Sequence, residues 1–377
     1  MKYIKQLDAM RAIAILFVLC NHSLPKEHIL FRISDRVSGP DVFFTISGFL
    51  ITALLLKDRK ALDLQQYRKR DVFRNFFLKR AFRIFPAYYL IVLLDCLLQG
   101  APAADYRSYL NFTSNFVIYQ NQQWGRLSHL WTMAVEQQFY LLWPFAMVLM
   151  PRKWLLHTII IFIAVGCYSR HVLPPSDFRH VLPQTCFNAL GIGALLAWVI
   201  VEKPEWFGKV YLGLCGLAVA CAGLMVGKIA FAIHLPFLSQ RTLVAVLVTW
   251  LIGYFVAHGD KEGGALGVVF NNKFLILIGK MSYGIYLYHL SILYMAFPLL
   301  TWLNRHLPFS ENAAVSHRLL LAECMTLIFV LAWCSWKYFE MPVNALSKRL
   351  VVPKKKEAAP VLVTLEAVPP LLEGAVV

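Results

Sequence analysis

The 377-residue sequence is short of charge and shorter still of acid: 15% of its residues are charged, and 21 Asp and Glu stand against 37 Lys and Arg, for a formal net charge of +16. Water-soluble domains carry about 25% charged residues. With 59% apolar residues and a mean hydropathy of +0.58, this composition excludes a soluble globular protein. The eight cysteines (Cys20, Cys96, Cys167, Cys186, Cys215, Cys221, Cys324 and Cys334) form no C-x-x-C pair, and most sit inside apolar runs. They read as small buried hydrophobes, not disulfides or zinc ligands. There is no G-x-S-x-G, no Walker A loop, no dinucleotide fingerprint and no H-E-x-x-H, which argues against a serine hydrolase, an ATPase and a zinc protease. Neither an internal repeat nor a separate soluble domain is present.

What the sequence has in abundance is long apolar runs. A helix needs about 20 apolar residues to cross a bilayer, or fewer where flanking Arg and Lys snorkel. Ten runs qualify, at roughly 9–25, 41–57, 82–98, 131–150, 154–170, 182–201, 210–227, 242–258, 281–302 and 319–338. The first imitates a signal peptide, but Asp8 and Arg11 interrupt its start, no A-x-A follows, and Leu19 precedes Cys20 where a lipobox needs a small residue. It is expected to be retained. With the N-terminus inside and strict alternation, inside segments hold 26 Lys and Arg and outside segments 11, most of the excess coming from Lys57 to Arg83. The positive-inside rule therefore predicts an all-α integral membrane protein of about ten transmembrane helices with both termini cytoplasmic. The basic balance is then a topology signal and not a nucleic-acid footprint. Two weaker stretches, 229–240 and 265–279, are expected to be interfacial or re-entrant. Residues 1–350 form the membrane domain, and 351–377 are expected to be a disordered cytoplasmic tail.

Ionisable groups within such runs are costly and mark function by default. They are His22, Asp41, Asp95, Glu136, His289, Glu323 and Glu340, with Arg11, Arg80 and Arg83 at helix ends. Eleven residues separate Arg11 from His22, about three helical turns and about 16 Å of rise, so both lie on one face with His22 towards the outer side. Topology puts Asp41 and Glu136 at a similar depth. A histidine oriented by a carboxylate is the minimal unit for activating a hydroxyl; a helix cap or an intrabundle hydrogen bond is the other reading of His22. Arg80 and Arg83, spaced i, i+3, suit bidentate phosphate binding, or plain anchoring at the cytoplasmic face. Together with Arg11 they would form a phosphate site about 16 Å below His22, a distance comparable to a pantetheine arm. His289 reads equally as a structural hydrogen bonder or as part of an acyl tunnel. The outer loop 99–130, with Asn111, Asn115, Gln120, Asn121, Gln122, Gln123 and Trp124, followed by Trp131, suits sugar binding or is simply a polar loop.

Six blocks in order resemble the acyltransferase-3 family of polytopic bacterial membrane O-acyltransferases. They are Leu7 to Ile15 extended to His22, Asp41-Val-Phe-Phe-Thr-Ile-Ser-Gly-Phe-Leu-Ile-Thr52, Phe77 to Tyr89, Leu130 to Pro144, Met281 to His289, and Tyr338-Phe-Glu-Met-Pro342. The family's R-x10-H falls on Arg11 and His22, its R-x-x-R on Arg80 and Arg83, and its fourth-helix Glu on Glu136. Departures are Gln137 for a common Glu, Tyr288 for a common Trp and Ala9 for a common Gly.

The resemblance implies transfer of an acyl group, commonly acetyl from cytoplasmic acetyl-CoA, to a sugar hydroxyl of a cell-surface or exported polysaccharide such as O-antigen or exopolysaccharide. In that reading His22, Asp41 and Glu136 are catalytic; Arg11, Arg80 and Arg83 bind the acyl-CoA donor; His289 and Tyr140 line the substrate tunnel; and no metal is needed. The expected partners are the bilayer of the bacterial inner membrane and a carbohydrate or lipid-linked glycan acceptor, with no nucleic acid. The fused extracytoplasmic hydrolase-like domain of some members is expected to be absent. A glycolipid carrier or flippase is the rival from another class, and a macrolide-type small-molecule glycoside the rival acceptor.

Overall fold

A computed structural model describes residues 3–99, 106–231, 239–259, 265–305 and 313–353. Every regular element among them is helical. The elements that build the site are α1 (Gln6–Ser23), α2 (Ile29–Arg36), α3 (Gly39–Asp63), α4 (Lys69–Gln99), α5 (Arg107–Leu110), α6 (Ser114–Asn121), α7 (Trp131–Leu149), α8 (Arg152–Val172) and α9 (Phe187–Glu202). They are followed by α10 (Phe207–Phe231), α11 (Gln240–His258), α12 (Ala265–Phe270), α13 (Lys273–Asn304), α14 (Ala313–Ser335) and α15 (Met341–Leu350), the last two joined by a π-helical turn, Trp336–Glu340.

Each of the ten apolar runs is a helix. Eight helices among the described residues are long and apolar enough to cross a membrane, so the chain is a multi-pass membrane protein. α1 and α7 are long enough at 18 and 19 residues but fall short in hydropathy. The reason is their polar content: α1 carries Asp8, Arg11, Asn21 and His22, and α7 carries Glu136, Gln137 and Gln138.

Two expectations are corrected. The stretch 265–279 is not one re-entrant segment: α12 ends at Phe270, Asn272 caps the next helix through the Phe274 and Leu275 amides, and the rest is the first two turns of the 32-residue α13. Arg80 and Arg83 are not at a helix end, because α4 begins at Lys69, three turns earlier; the basic residues that looked like loop form the first turns of the helix. The stretch 229–240 and the tail lie largely outside the described residues.

Burial sorts the bundle into centre and rim. The spans containing α3 and α9 are each 72% buried, whereas those of α8 and α10 are 17% and 11% buried. The latter pair turn apolar side chains such as Ile161, Leu212 and Val219 outward to lipid. Lipid gives no hydrophobic drive to hold helices together, so small residues that admit backbone contact do that work. α3 and α9 interlock in this way: a Cβ on Gly48 would stand 1.9 Å from the Leu190 carbonyl oxygen, and one on Gly193 would stand 2.1 Å from that of Thr45. α13 meets α1 by the same device, with a Cβ on Gly279 falling 1.8 Å from the Asp8 carbonyl oxygen. These crossings hold α1, α3 and α13 around a common polar interior.

Candidate active site

Two cavities occupy that interior. The inner one, about 120 Å³, is walled by Arg11 of α1, Ser47 of α3, Arg80 and Arg83 of α4, Glu136 and Tyr140 of α7, and Tyr283 and Tyr286 of α13. Glu136 is held at both oxygens: Ser47 Oγ donates to Oε1 at 2.8 Å and the Tyr140 hydroxyl to Oε2 at 3.2 Å. The Arg80 guanidinium lies 5.7 Å over the Tyr140 ring and 5.9 Å over Phe76, and its buried Nε has no partner. Arg11 donates to Asp8 at 2.6 Å, and Asp8 also accepts from the Tyr3 hydroxyl. Three guanidinium groups thus stand against two carboxylates, Glu136 in the cavity wall and Asp8 paired with Arg11 beside it, and the excess positive charge suits an anion.

The outer cavity is about four times larger, at 490 Å³, and is lined by His22, His129, His180, Arg241, Trp124 and Trp131 among others. Trp124, half exposed, and Trp131 stand with ring centroids 5.7 and 5.5 Å from His180. Burial, followed by the positive charge of Arg241, pushes His180 down to about 4, so at neutral pH it presents an uncharged ring between two indoles. Such an arch of aromatic faces fits the apolar face of a sugar.

Pro40 and Tyr286 belong to both cavities. Tyr286 is pinned there: its hydroxyl accepts from Thr132 Oγ1 at 2.7 Å and donates to the His129 carbonyl at 2.5 Å. Pro40 and Tyr286 therefore form part of the wall between the two chambers.

The residues singled out from the sequence are divided between the two chambers. Arg11, Arg80, Arg83, Glu136 and Tyr140 come together in the inner one, and His22 lines the outer one. The grouping of His22 with Asp41 and Glu136 is corrected. Asp41, in the first turn of α3, is engaged by Arg241 of α11, and Glu136 is engaged by Ser47 and Tyr140. Depth in the membrane, inferred from topology, does not say which neighbour a carboxylate faces. His289 is also displaced from the expected tunnel wall: it is fully buried, its ring 5.2 Å from His22 and 5.0 Å from His129.

The remaining intramembrane acids tie elements together. Asp95 accepts from the Tyr106 hydroxyl at 2.8 Å and pairs with Arg126 at 3.4 Å; Glu323 accepts from Asn304 at 2.8 Å; Glu340 accepts from Ser335 at 3.0 Å. In the outer loop Asn115 is structural, donating to Gln138 and to the Val181 carbonyl. Sequence reasoning missed Ser47, His129, His180 and Arg241. Ser47 and Arg241 lie within or beside apolar runs with no spacing signal, and His129 stands one residue before a recognised block.

A cationic chamber thus backs against a histidine-lined one inside a helical membrane bundle. A family model described as an acyltransferase domain, Acyl_transf_3, matches residues 4–339, and the chain belongs to that family. Among its relatives, the peptidoglycan O-acetyltransferase OatA of Listeria monocytogenes is 26% identical over 91% of this chain and 56% of its own length. The putative peptidoglycan O-acetyltransferase YrhL of Bacillus subtilis is 26% identical over 94% and 58%, and the O-acetyltransferase OatA of Staphylococcus aureus 24% identical over 98% and 63%. The chain thus spans a little over half the length of these curated relatives. No solved structure matches it. Among the described residues no group of His, Cys, Asp and Glu is arranged to hold a metal ion.

Proposed function

We propose that this protein is an O-acetyltransferase of the bacterial inner membrane, both termini cytoplasmic, moving acetyl from cytoplasmic acetyl-CoA to a sugar hydroxyl of an extracytoplasmic polysaccharide. The observation that carries this reading is the pair of adjoining chambers, one with three arginines and one with His22 and an aromatic arch. Arg11, Arg80 and Arg83 bind phosphate oxygens of the donor, and the pantetheine arm carries the thioester past Tyr286. In the outer chamber the acceptor sugar stacks on Trp124 and Trp131. His22 takes the proton of the sugar hydroxyl, whose oxygen attacks the thioester carbonyl. The C–S bond breaks, and the thiolate leaves as the thiol with the proton His22 held. An ester and free CoA result, with charge and atoms balanced. Peptidoglycan, named for the relatives above, is one acceptor of this chemistry; O-antigen and exopolysaccharide are others.

The test is the glycan mass profile of cells carrying the wild type, a deletion, or His22→Ala at matched protein level. The expected result is one acetyl increment per modified repeat in the wild type alone. Retention of the increment in His22→Ala would remove His22 from the chemistry, and an unchanged profile in the deletion would remove glycans as acceptors.

A further inference from the structure

His22 shares the outer chamber with the carboxylate of Asp35, while the two acids expected to orient it are engaged elsewhere, Asp41 by Arg241 and Glu136 by Ser47 and Tyr140. What its ring meets instead is another imidazole, His289, at 5.2 Å between centroids with a 48° tilt, and behind that a third, His129, 5.0 Å further at 73°. Both inner rings are buried, and the protonation of each is dictated by α13. His289 Nδ1 lies 2.7 Å from the Tyr286 carbonyl oxygen and His129 Nε2 lies 3.2 Å from that of Leu287. A carbonyl only accepts, so each of these nitrogens carries the hydrogen. In the neutral rings this leaves His289 Nε2 and His129 Nδ1 as bare acceptors, and both are buried without any partner.

A buried polar atom left unpaired costs about 1–3 kcal/mol, and two of them side by side, one on the ring that touches His22, call for a purpose. An imidazole that takes up a proton gains a second N–H and needs an acceptor for it. We infer that His289 is the positioning residue of His22: its Nε2 lone pair receives the second N–H of the His22 imidazolium while the other side of that ring handles the hydroxyl proton. α13 thereby supplies the orienter for which the sequence offers only carboxylates, and the Gly279–Asp8 contact that draws α13 onto α1 is what brings the two rings together. The neutral acceptor also differs from a carboxylate in kind. It adds no counter-charge of its own beside His22, so the charge that balances the imidazolium comes from the substrate and from Asp35 across the chamber. This inference rests on the acetyl-transfer reading above.

Two amide substitutions separate this role from a packing role. In His289→Gln the carboxamide reaches where Nε2 stood and supplies an acceptor; in His289→Asn it sits where Nδ1 stood and keeps only the bond to the Tyr286 carbonyl. With acetyl-CoA supplied to inside-out membrane vesicles of cells expressing the full chain, and labelled acetyl counted in the vesicle glycan, Gln is expected to keep kcat within about fivefold of wild type. Asn and His289→Leu are expected to lose on the order of a hundredfold, with KM for acetyl-CoA unchanged. On a His22→Ala background the Leu substitution is expected to remove nothing further. The same or better activity of Asn relative to Gln, or a further loss on the His22→Ala background, would overturn the inference while leaving acetyl transfer intact. Wild-type vesicles that transfer no acetyl would overturn the acetyl-transfer reading and this inference with it.

Discussion

Arg241 and Asp41 form a closed pair across two helices: the guanidinium Nε donates to the carboxylate, and the side chains are 4% and 5% exposed. The remaining nitrogens of Arg241 are taken by the Thr185 and His180 carbonyls and by Cys186 Sγ. Breaking one member of a buried pair strands the other charge at a cost of about 3–5 kcal/mol, whereas replacing both relieves it. Asp41→Asn and Arg241→Met are therefore each expected to lower the thermal stability of the detergent-solubilised protein sharply, and the double substitution to recover much of the loss. Were Asp41 instead an orienter of His22, Asp41→Asn would spare stability and abolish turnover.

The inner chamber makes a different kind of demand. Arg83→Ala and Arg80→Ala are expected to raise KM for acetyl-CoA by tenfold or more, since loss of a charge-assisted bond amounts to about 1.5–3 kcal/mol. Effects on kcat are expected to be smaller, because a phosphate anchor acts alike on ground and transition states. Lysine at either position is expected to restore the constant only in part, the fork geometry being lost. A titration of initial rate against donor concentration in membrane vesicles decides this.

The acid response of the outer chamber follows from His180. Its folded-state value of about 4 lies below the ordinary 6.5, so the unfolded chain binds the proton more readily. The neutral ring's contribution is complete above about pH 6.5 and is lost as pH falls towards 4, by about 3 kcal/mol in total. Thermal melts across that window should show wild type losing stability with acid and His180→Gln losing less. An identical slope in both proteins would exclude His180 as the source.

The crossing of α3 and α9 tolerates no side chain. A methyl group at Gly48 or Gly193 meets main-chain oxygen at about 2 Å, and main chain cannot rotate aside. Gly48→Ala and Gly193→Ala are expected to reduce folded protein in the membrane severely, whereas Gly213→Ala on the lipid-facing α10, with open space around it, is expected to be neutral. Quantified fluorescence of a carboxy-terminal reporter in size-exclusion chromatography provides the comparison.

Helix positions were legible because a bilayer demands about 20 apolar residues whatever their partners, and all ten runs are helices. α2 escaped that reading, since eight residues containing Arg32, Ser34, Asp35 and Arg36 present no run at all. The inner chamber was legible in Arg11, Arg80 and Arg83 because intramembrane charge is rare, whereas Glu136, which lines it too, was expected beside His22. The outer chamber was half hidden. His22 was visible, but His129 precedes a helix by two residues in a short 3₁₀ turn, His180 lies in a loop, and Arg241 reads as a helix-end anchor. Pairing is decided by which faces of α11 and α13 turn inward, and helical periodicity cannot report that for stretches of sequence about 150 to 270 residues apart.

The hydroxyl of Tyr286, clamped between Thr132 and the His129 carbonyl, bears on a problem outside the chemistry. An energised membrane loses its proton gradient through any continuous thread of water, and an enzyme that reaches reactants on both sides risks becoming such a thread. With the two chambers opening to opposite faces as proposed, a phenol ring locked at their shared wall admits a slender thioester arm only by being pushed aside, and the arm then plugs the gap that it opens. The protein can in this way work across the bilayer and remain electrically tight.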